Sequence, residues 1–435
     1  MIEKVLSTIK GVYKGGLFHI FGSNVIANVF ALLSSMLVIR FLPKDLYGNY
    51  VDAHNLYSYL TVFIGFGLSG AIIQFCSENI SEQKKNQIYR YSIIYGMGIN
   101  VLLSLIVVLL AFFKMYSGDV EASRFLFMMS FYPFLIYIVN CFQSILRVQG
   151  QNKAFATVNI VSAATILFGN LLFTYIWNIY GLIFSTYFSQ GICCIVVFVI
   201  AKKKKLFDLS VLKSKPLSKD RKRELKRYGF VTSITNFTSN ALLLLDVTCL
   251  GLILSDSEIL ADYHVATVLP NACLFIPSGL IIYYYPKMVK SYSEGWQSFK
   301  KYILNISKVF LGFATITGIG IFVFAPLMIQ IVYGEKYLTC VPIVRVLAIN
   351  YFICAFLRKL LGNAIAVLKK YEINLIHTII SGVLNIILNL TFILMLGSIG
   401  AAIATLCVTA FVVVLEIMYF ISFDKKQEKM KKIVN

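Results

Sequence analysis

The residues best placed to do chemistry are ionisable or amide side chains embedded in long apolar runs. Asp246 follows the run ALLLL and stands nine residues before Ser255, about 13 Å along a helix that rises 1.5 Å per residue. Its carboxylate is too short to snorkel over that distance. It therefore either pairs with a cation or exchanges a proton or sodium ion, which makes it the candidate ion-coupling residue. Arg345 and Arg358 lie in another apolar segment, and a guanidinium offers phosphate a planar fork of donors. Cations in such places suit an anionic ligand better than a cationic one. Lys308 begins a further apolar run, and it, Lys359 and Glu416 read as side chains that snorkel to an interface.

Amides form a second set. Asn24 and Asn28 share one helical face with Ala31 and Ser35, and Asn236 and Asn240 repeat the spacing in the second half of the chain. These four either line a substrate cavity or hydrogen-bond between helices. Asp52 and His54 open one apolar segment close to Arg40, which closes the preceding one. That trio reads as an ion pair at the outer mouth or as a substrate contact. Tyr57 and Tyr59 beside it could stack on sugar rings.

Other motifs fall away. The string GFGLSG at 65–70 has the GxGxxG spacing, but it sits inside an apolar helical segment with no strand before it, so close helix packing explains it better than a phosphate turn. No GxxxxGK[ST] string encodes a nucleotide-hydrolysing site. Nine cysteines lie mostly in apolar runs without CxxC spacing or His partners and read as reduced core residues. No metal and no cofactor is expected.

What must position these residues is a membrane. The chain is 435 residues long, 58% hydrophobic and only 14% charged, with mean hydropathy +0.78. A soluble domain carries about 25% charged residues. A spanning helix needs roughly 20 mostly apolar residues, and twelve segments qualify: 17–41, 51–75, 91–113, 124–146, 154–177, 181–201, 229–254, 263–285, 303–325, 341–361, 373–395 and 400–422. The reading is an all-α polytopic membrane protein with about 12 transmembrane helices. It divides into an N-terminal six-helix bundle over 1–201, a basic cytoplasmic linker over 202–228, a C-terminal six-helix bundle over 229–422 and a basic cytoplasmic tail over 423–435.

The net charge of +20 then finds its place. With the N-terminus inside, 31 of the 40 Lys and Arg fall on cytoplasmic segments and four on outer loops, as the positive-inside rule requires when both termini are cytoplasmic. Because the bias recurs in every inner loop, it argues for contact with membrane lipids and against nucleic acid.

The two halves also repeat. The shift that sets Asn170 on Asn389 also sets Phe173 on Phe392, Gly181 on Gly400 and Thr186 on Thr405. A duplicated unit of six spans enters the membrane twice in the same sense, giving pseudo-symmetric bundles related by an axis along the membrane normal.

Three stretches carry a family resemblance: GLFHIFGSNVIANVFALLSSMLVIRFLPKDLYGNYVDAHNLYSYLTVFIGFGLSGAIIQF, ADYHVATVLPNACLFIPSGLIIYYYPKMVK and FAPLMIQIVYGEKYLTCVPIVRVLAINYFICAFLRKLLGNAI. Over essentially the whole chain the sequence resembles Wzx-type polysaccharide-transporter flippases, in the MOP (MATE-like) exporter superfamily. The resemblance implies two bundles around a central cavity, alternating access, and translocation of an undecaprenyl-diphosphate-linked oligosaccharide repeat unit for O-antigen, lipopolysaccharide or capsule biosynthesis. It also implies a bacterial inner-membrane location, an ion gradient as the energy source and association with a glycan polymerase or glycosyltransferase complex. It implies no enzymatic activity. Arg40, Asn24, Asn28, Asp52, His54, Asn236, Asn240, Lys308, Arg345 and Arg358 are the cavity candidates. A multidrug or toxin cation antiporter of the same superfamily is the first rival, and it would be expected to carry more cavity carboxylates. A glycan polymerase or ligase would need a large outer loop, and a non-transporting component of a glycan-assembly complex is the third alternative.

Overall fold

The structure, a computed structural model, describes residues 17–77, 80–116, 118–203, 214–368 and 370–434. The first sixteen residues and residues 204–213 of the basic linker lie outside them. Among the described residues every regular element is helical. In chain order these are α1 (Leu17–Phe41), α2 (Lys44–Thr61), α3 (Leu68–Cys76), α4 (Glu82–Tyr116), α5 (Val120–Met129), α6 (Tyr132–Val148), α7 (Asn152–Lys203) and α8 (Lys219–Leu254). There follow α9 (Ser257–Cys273), α10 (Phe275–Ser293), α11 (Trp296–Tyr333), α12 (Val341–Ile353), α13 (Lys359–Val367), α14 (Tyr371–Leu396) and α15 (Ser398–Val434).

Among the described residues ten stretches are long and apolar enough to cross a bilayer, and geometry raises that number to twelve. At 52 residues, α7 would be about 78 Å long if straight, more than twice the ~30 Å hydrocarbon core. It folds back at Trp177 and Asn178, where Asn178 adopts φ 50° and ψ −133°, and so supplies two spans. The shorter apolar stretch Leu244–Leu254 ends α8, whose 36 residues as a whole are long enough for another.

The turn within α7 has a twin. Gly397, between α14 and α15, has φ 62° and ψ −141°, and the shift that sets Gly181 on Gly400 sets Asn178 on Gly397. A Cβ at Gly181 would overlap the carbonyl oxygen of Phe173, and one at Gly400 would overlap that of Phe392. The repeated Phe and Gly identities thus mark one hairpin built twice, in which glycine lets the returning helix approach the preceding backbone.

The GFGLSG segment is not part of a continuous helix, contrary to the sequence reading. Gly65, Phe66 and Gly67 all take positive φ, at 60°, 51° and 66°, and they break the span between α2 and α3. The packing role survives in another form. The Gly65 amide donates to Asn100 Oδ1 at 2.9 Å, a Cβ at Gly65 or Gly96 would collide with the Tyr137 ring, and Gly67 lies against Gly229. Tyr137 is locked there by donating to the Ser92 carbonyl at 2.6 Å.

Two compact units result, residues 1–241 and 242–435. The division falls inside α8 and not in the basic linker, because the start of α8 packs on the first unit. Leu225 is buried with Phe75, Tyr89 and Tyr137, and Tyr228 packs edge-on to Phe75 at 5.5 Å. In the second unit Met288, Phe299, Phe310, Leu360 and Ala364 form a core of their own.

Candidate functional site

The most developed polar site lies within the second unit, around Asp246 on α8. Its Oδ2 accepts hydrogen bonds from the Tyr263 hydroxyl of α9 at 2.7 Å and from Thr405 Oγ1 of α15 at 2.5 Å. Its Oδ1 accepts from Asn389 Nδ2 at 2.9 Å and from Asn385 Nδ2 at 3.2 Å, both on α14. Four donors on three other helices therefore converge on one carboxylate. No Lys, Arg or His forms an ion pair with it among the described residues, so the branch of the sequence reading in which Asp246 pairs with a cation does not apply. The charge is instead held by neutral donors.

Local sequence explains the convergence. Asn385 and Asn389 are one helical turn apart and share a face, with Asn389 Nδ2 also donating to Asn385 Oδ1 at 2.9 Å. Asn389 Oδ1 is buried and has no donor among the described residues. A half-turn of an asparagine amide exchanges donor for acceptor. The same side chains can thus present N–H groups to a bare carboxylate or oxygens to a hard cation beside it.

The first unit holds the corresponding arrangement without the charge. Asn170, the counterpart of Asn389, donates to Ser34 Oγ at 2.7 Å and accepts from Ser185. Ser34 is in turn the counterpart of Asp246, under the same shift that relates Asn24 to Asn236. Duplication supplied a polar pocket twice, and a carboxylate stands in the second copy.

The other candidates are spread over both units. Asn24 is exposed and accepts from Asn159 Nδ2 at 2.9 Å, while Asn28, Asn236, Asn240 and Arg40 are exposed. Asp52 is paired with Lys114 near the end of α4, whereas the sequence places it close to Arg40. Lys114 also reaches Asp119 at 3.2 Å, and Asp119 caps α5 by accepting from the Ala122 amide. His54 meets Ser58 Oγ at 3.4 Å. Tyr57 is buried against Tyr132 and offers no face to a sugar, while Tyr59 packs on Phe237. Lys308 is exposed on α11. Arg345 is exposed on α12, with its guanidinium 5.6 Å from the centre of the Phe322 ring.

Arg358 has a partner that the sequence reading missed. It ends a π-helical segment, Cys354–Arg358, and binds Glu416 of α15. Glu416 is fully buried, which corrects the expectation that it snorkels. Asn385, Asn389, Thr405 and Tyr263 were likewise not picked as site residues. The signal for two of them was present, since Asn389 and Thr405 are identities of the internal repeat.

Comparison with known proteins agrees with this architecture. A family model described as "Polysaccharide biosynthesis protein" matches residues 14–290. An uncharacterized membrane protein of Methanocaldococcus jannaschii is 24% identical over 413 residues, covering 90% of this chain and 80% of the relative. Among solved structures, an inward-facing multidrug resistance MATE family transporter of the MOP superfamily superposes with TM-score 0.76 at 15% identity, covering 93% of this chain and 96% of that one. The lipid II flippase MurJ in an inward closed conformation superposes with TM-score 0.71 at 17% identity, covering 92% and 87%. The chain shares its fold with these two structures.

Proposed function

The chain belongs to the polysaccharide biosynthesis protein family, and from that premise we propose that it is a flippase for an undecaprenyl-diphosphate-linked oligosaccharide repeat unit, which it moves from the cytoplasmic to the outer leaflet. It is a multi-pass membrane protein, and we place it in a bacterial cell membrane with both termini cytoplasmic. The fold shared with a lipid II flippase supports a lipid-linked cargo. Arg345, Arg358 and Lys308 supply cations for a diphosphate, and the exposed amides Asn24, Asn28, Asn236 and Asn240, with Arg40, Asp52 and His54, supply polar contacts for the glycan. The polymerase and glycosyltransferases that make and consume such a cargo are the expected partners.

The observation that carries the coupling mechanism is the carboxylate of Asp246, held by four neutral donors with no cation paired to it among the described residues. A monovalent cation or proton entering there neutralises the charge and takes the charge assistance from the bonds of Tyr263, Thr405, Asn385 and Asn389, which changes how α8, α9, α14 and α15 pack. Alternating access needs such a two-state element biased by an ion.

Reconstitution tests the reading. In proteoliposomes containing a lipid-linked glycan, a leaflet-specific lectin should report protein-dependent translocation. Extrusion of organic cations with no movement of glycan would instead establish the multidrug antiporter.

A further inference from the structure

A second buried carboxylate, Glu416, has no place in the coupling scheme above, and its surroundings are specific. It is 0% exposed, while the Arg358 side chain that binds its Oε1 keeps 29% of its surface accessible. Glu416 Oε2 has no partner among the described residues, nor has Nδ1 of the buried His377. The π-helical segment inserts an extra residue into the span and so sets the direction in which Arg358 points. Gly362, one turn on, leaves room for the pair: a Cβ there would lie 3.3 Å from Arg358 Nη1 and 3.5 Å from Glu416 Oε1.

We propose that Glu416 is a proton-operated competitor for Arg358: ionised, it keeps the guanidinium as an internal ion pair, and protonated, it yields that guanidinium to a phosphate of the anionic cargo. The inference rests on the reading of the cargo as a lipid diphosphate. A guanidinium has five N–H donors, and the accessible part of Arg358 can turn them to a ligand. Two anions cannot share it in a medium of low dielectric without strong mutual repulsion. Diphosphate binding at Arg358 therefore requires Glu416 to take up one proton, and release of the diphosphate returns it.

The charged and titratable groups around Glu416 come from each neighbouring element. The π-helical segment supplies Arg358 and Cys354, and α13 begins with Lys359. From α14 comes His377, which is buried. On α12 the charged group is Arg345, thirteen residues and about 20 Å of helix from Arg358. Besides the Cys354 thiol, His377 is the group able to exchange a proton there, so it serves as the control.

The test measures binding of farnesyl diphosphate and of inorganic diphosphate to the full chain in nanodiscs between pH 6 and pH 8. Wild-type affinity should rise as pH falls, although protonation of the ligand by itself works in the opposite direction. Glu416→Gln should bind about tenfold or more tightly at pH 8, the scale of one hydrogen bond to a charged group, with the rise toward low pH abolished. Arg358→Ala should bind weakly at all pH values, and His377→Gln should keep the wild-type profile. A wild-type profile without the rise, or a Glu416→Gln protein that retains it, overturns the proposal. The wild-type arm needs no variant to fold. If the pH-dependent diphosphate binding is present but the lectin assay detects no translocation, the flippase reading fails and the Glu416 switch stands. If translocation is present and Glu416→Gln behaves as wild type, the reverse holds.

Discussion

Replacing Asp246 by Asn and by Ala separates a coupling role from a structural one. In Asp246→Asn the retained oxygen can still accept from Asn385 and Asn389. The new amide N–H groups can donate to the hydroxyls of Tyr263 and Thr405, which accept as readily as they donate. The loss is charge assistance, about 1–2 kcal/mol. Asp246→Ala removes the acceptor for all four donors. Asn389 keeps Asn385 Oδ1, and Tyr263 and Thr405, which share one acceptor oxygen, can turn to each other. About two buried donors are then left unserved at roughly 1–3 kcal/mol each, a loss of about 2–6 kcal/mol. Thermal unfolding of the purified variants should order them wild type, Asn, Ala. Flipping driven by an imposed sodium or pH gradient should lose its response in Asp246→Asn although the protein stays folded. Sodium at 100 times its dissociation constant should stabilise the wild type by about 2.7 kcal/mol if it is the coupling ion, and Asp246→Asn should show no such gain. An Asp246→Asn protein with an undiminished gradient response would refute the coupling argument, and an Ala variant no less stable than the Asn variant would refute the network.

The duplicated hairpin predicts that Gly181→Ala and Gly400→Ala each lose about 3 kcal/mol or more, because the new methyl meets backbone that cannot yield; Gly191→Ala, with nothing within 4 Å, should be neutral or stabilising by up to about 1 kcal/mol in the same unfolding assay. Lys114→Ala should cost about 2–3 kcal/mol by leaving the largely buried Asp52 without its cation, and an Asp52→Asn second substitution should recover part of it in a double-mutant cycle. Tyr137→Phe should lose about 1 kcal/mol with the bond to the Ser92 carbonyl.

Composition and periodicity were enough to read the membrane class, the number of spans and the duplication, because a bilayer imposes span length and internal satisfaction of the backbone on any chain that crosses it. The repeat was legible to the residue: Gly181 and Gly400 close the same turn, and Asn170 and Asn389 occupy the same pocket. Asp246 could be singled out for the same reason, since a carboxylate in an apolar run has no bland solvent-facing explanation. Partners were another matter. Glu416 looked like a side chain that could reach the interface, yet a π-helical turn and Gly362 bring Arg358 onto it. Asp52 looked closest to Arg40 along the chain and is paired instead with Lys114, at the far end of another span. The glycines at 65 and 67 break a span that hydropathy treats as continuous, because a hydropathy profile contains no φ angles. Sequence spacing determines which residues share a helical face. Which helix that face meets, and therefore which charges neutralise one another, depends on contacts between distant segments and was decided by the tertiary structure.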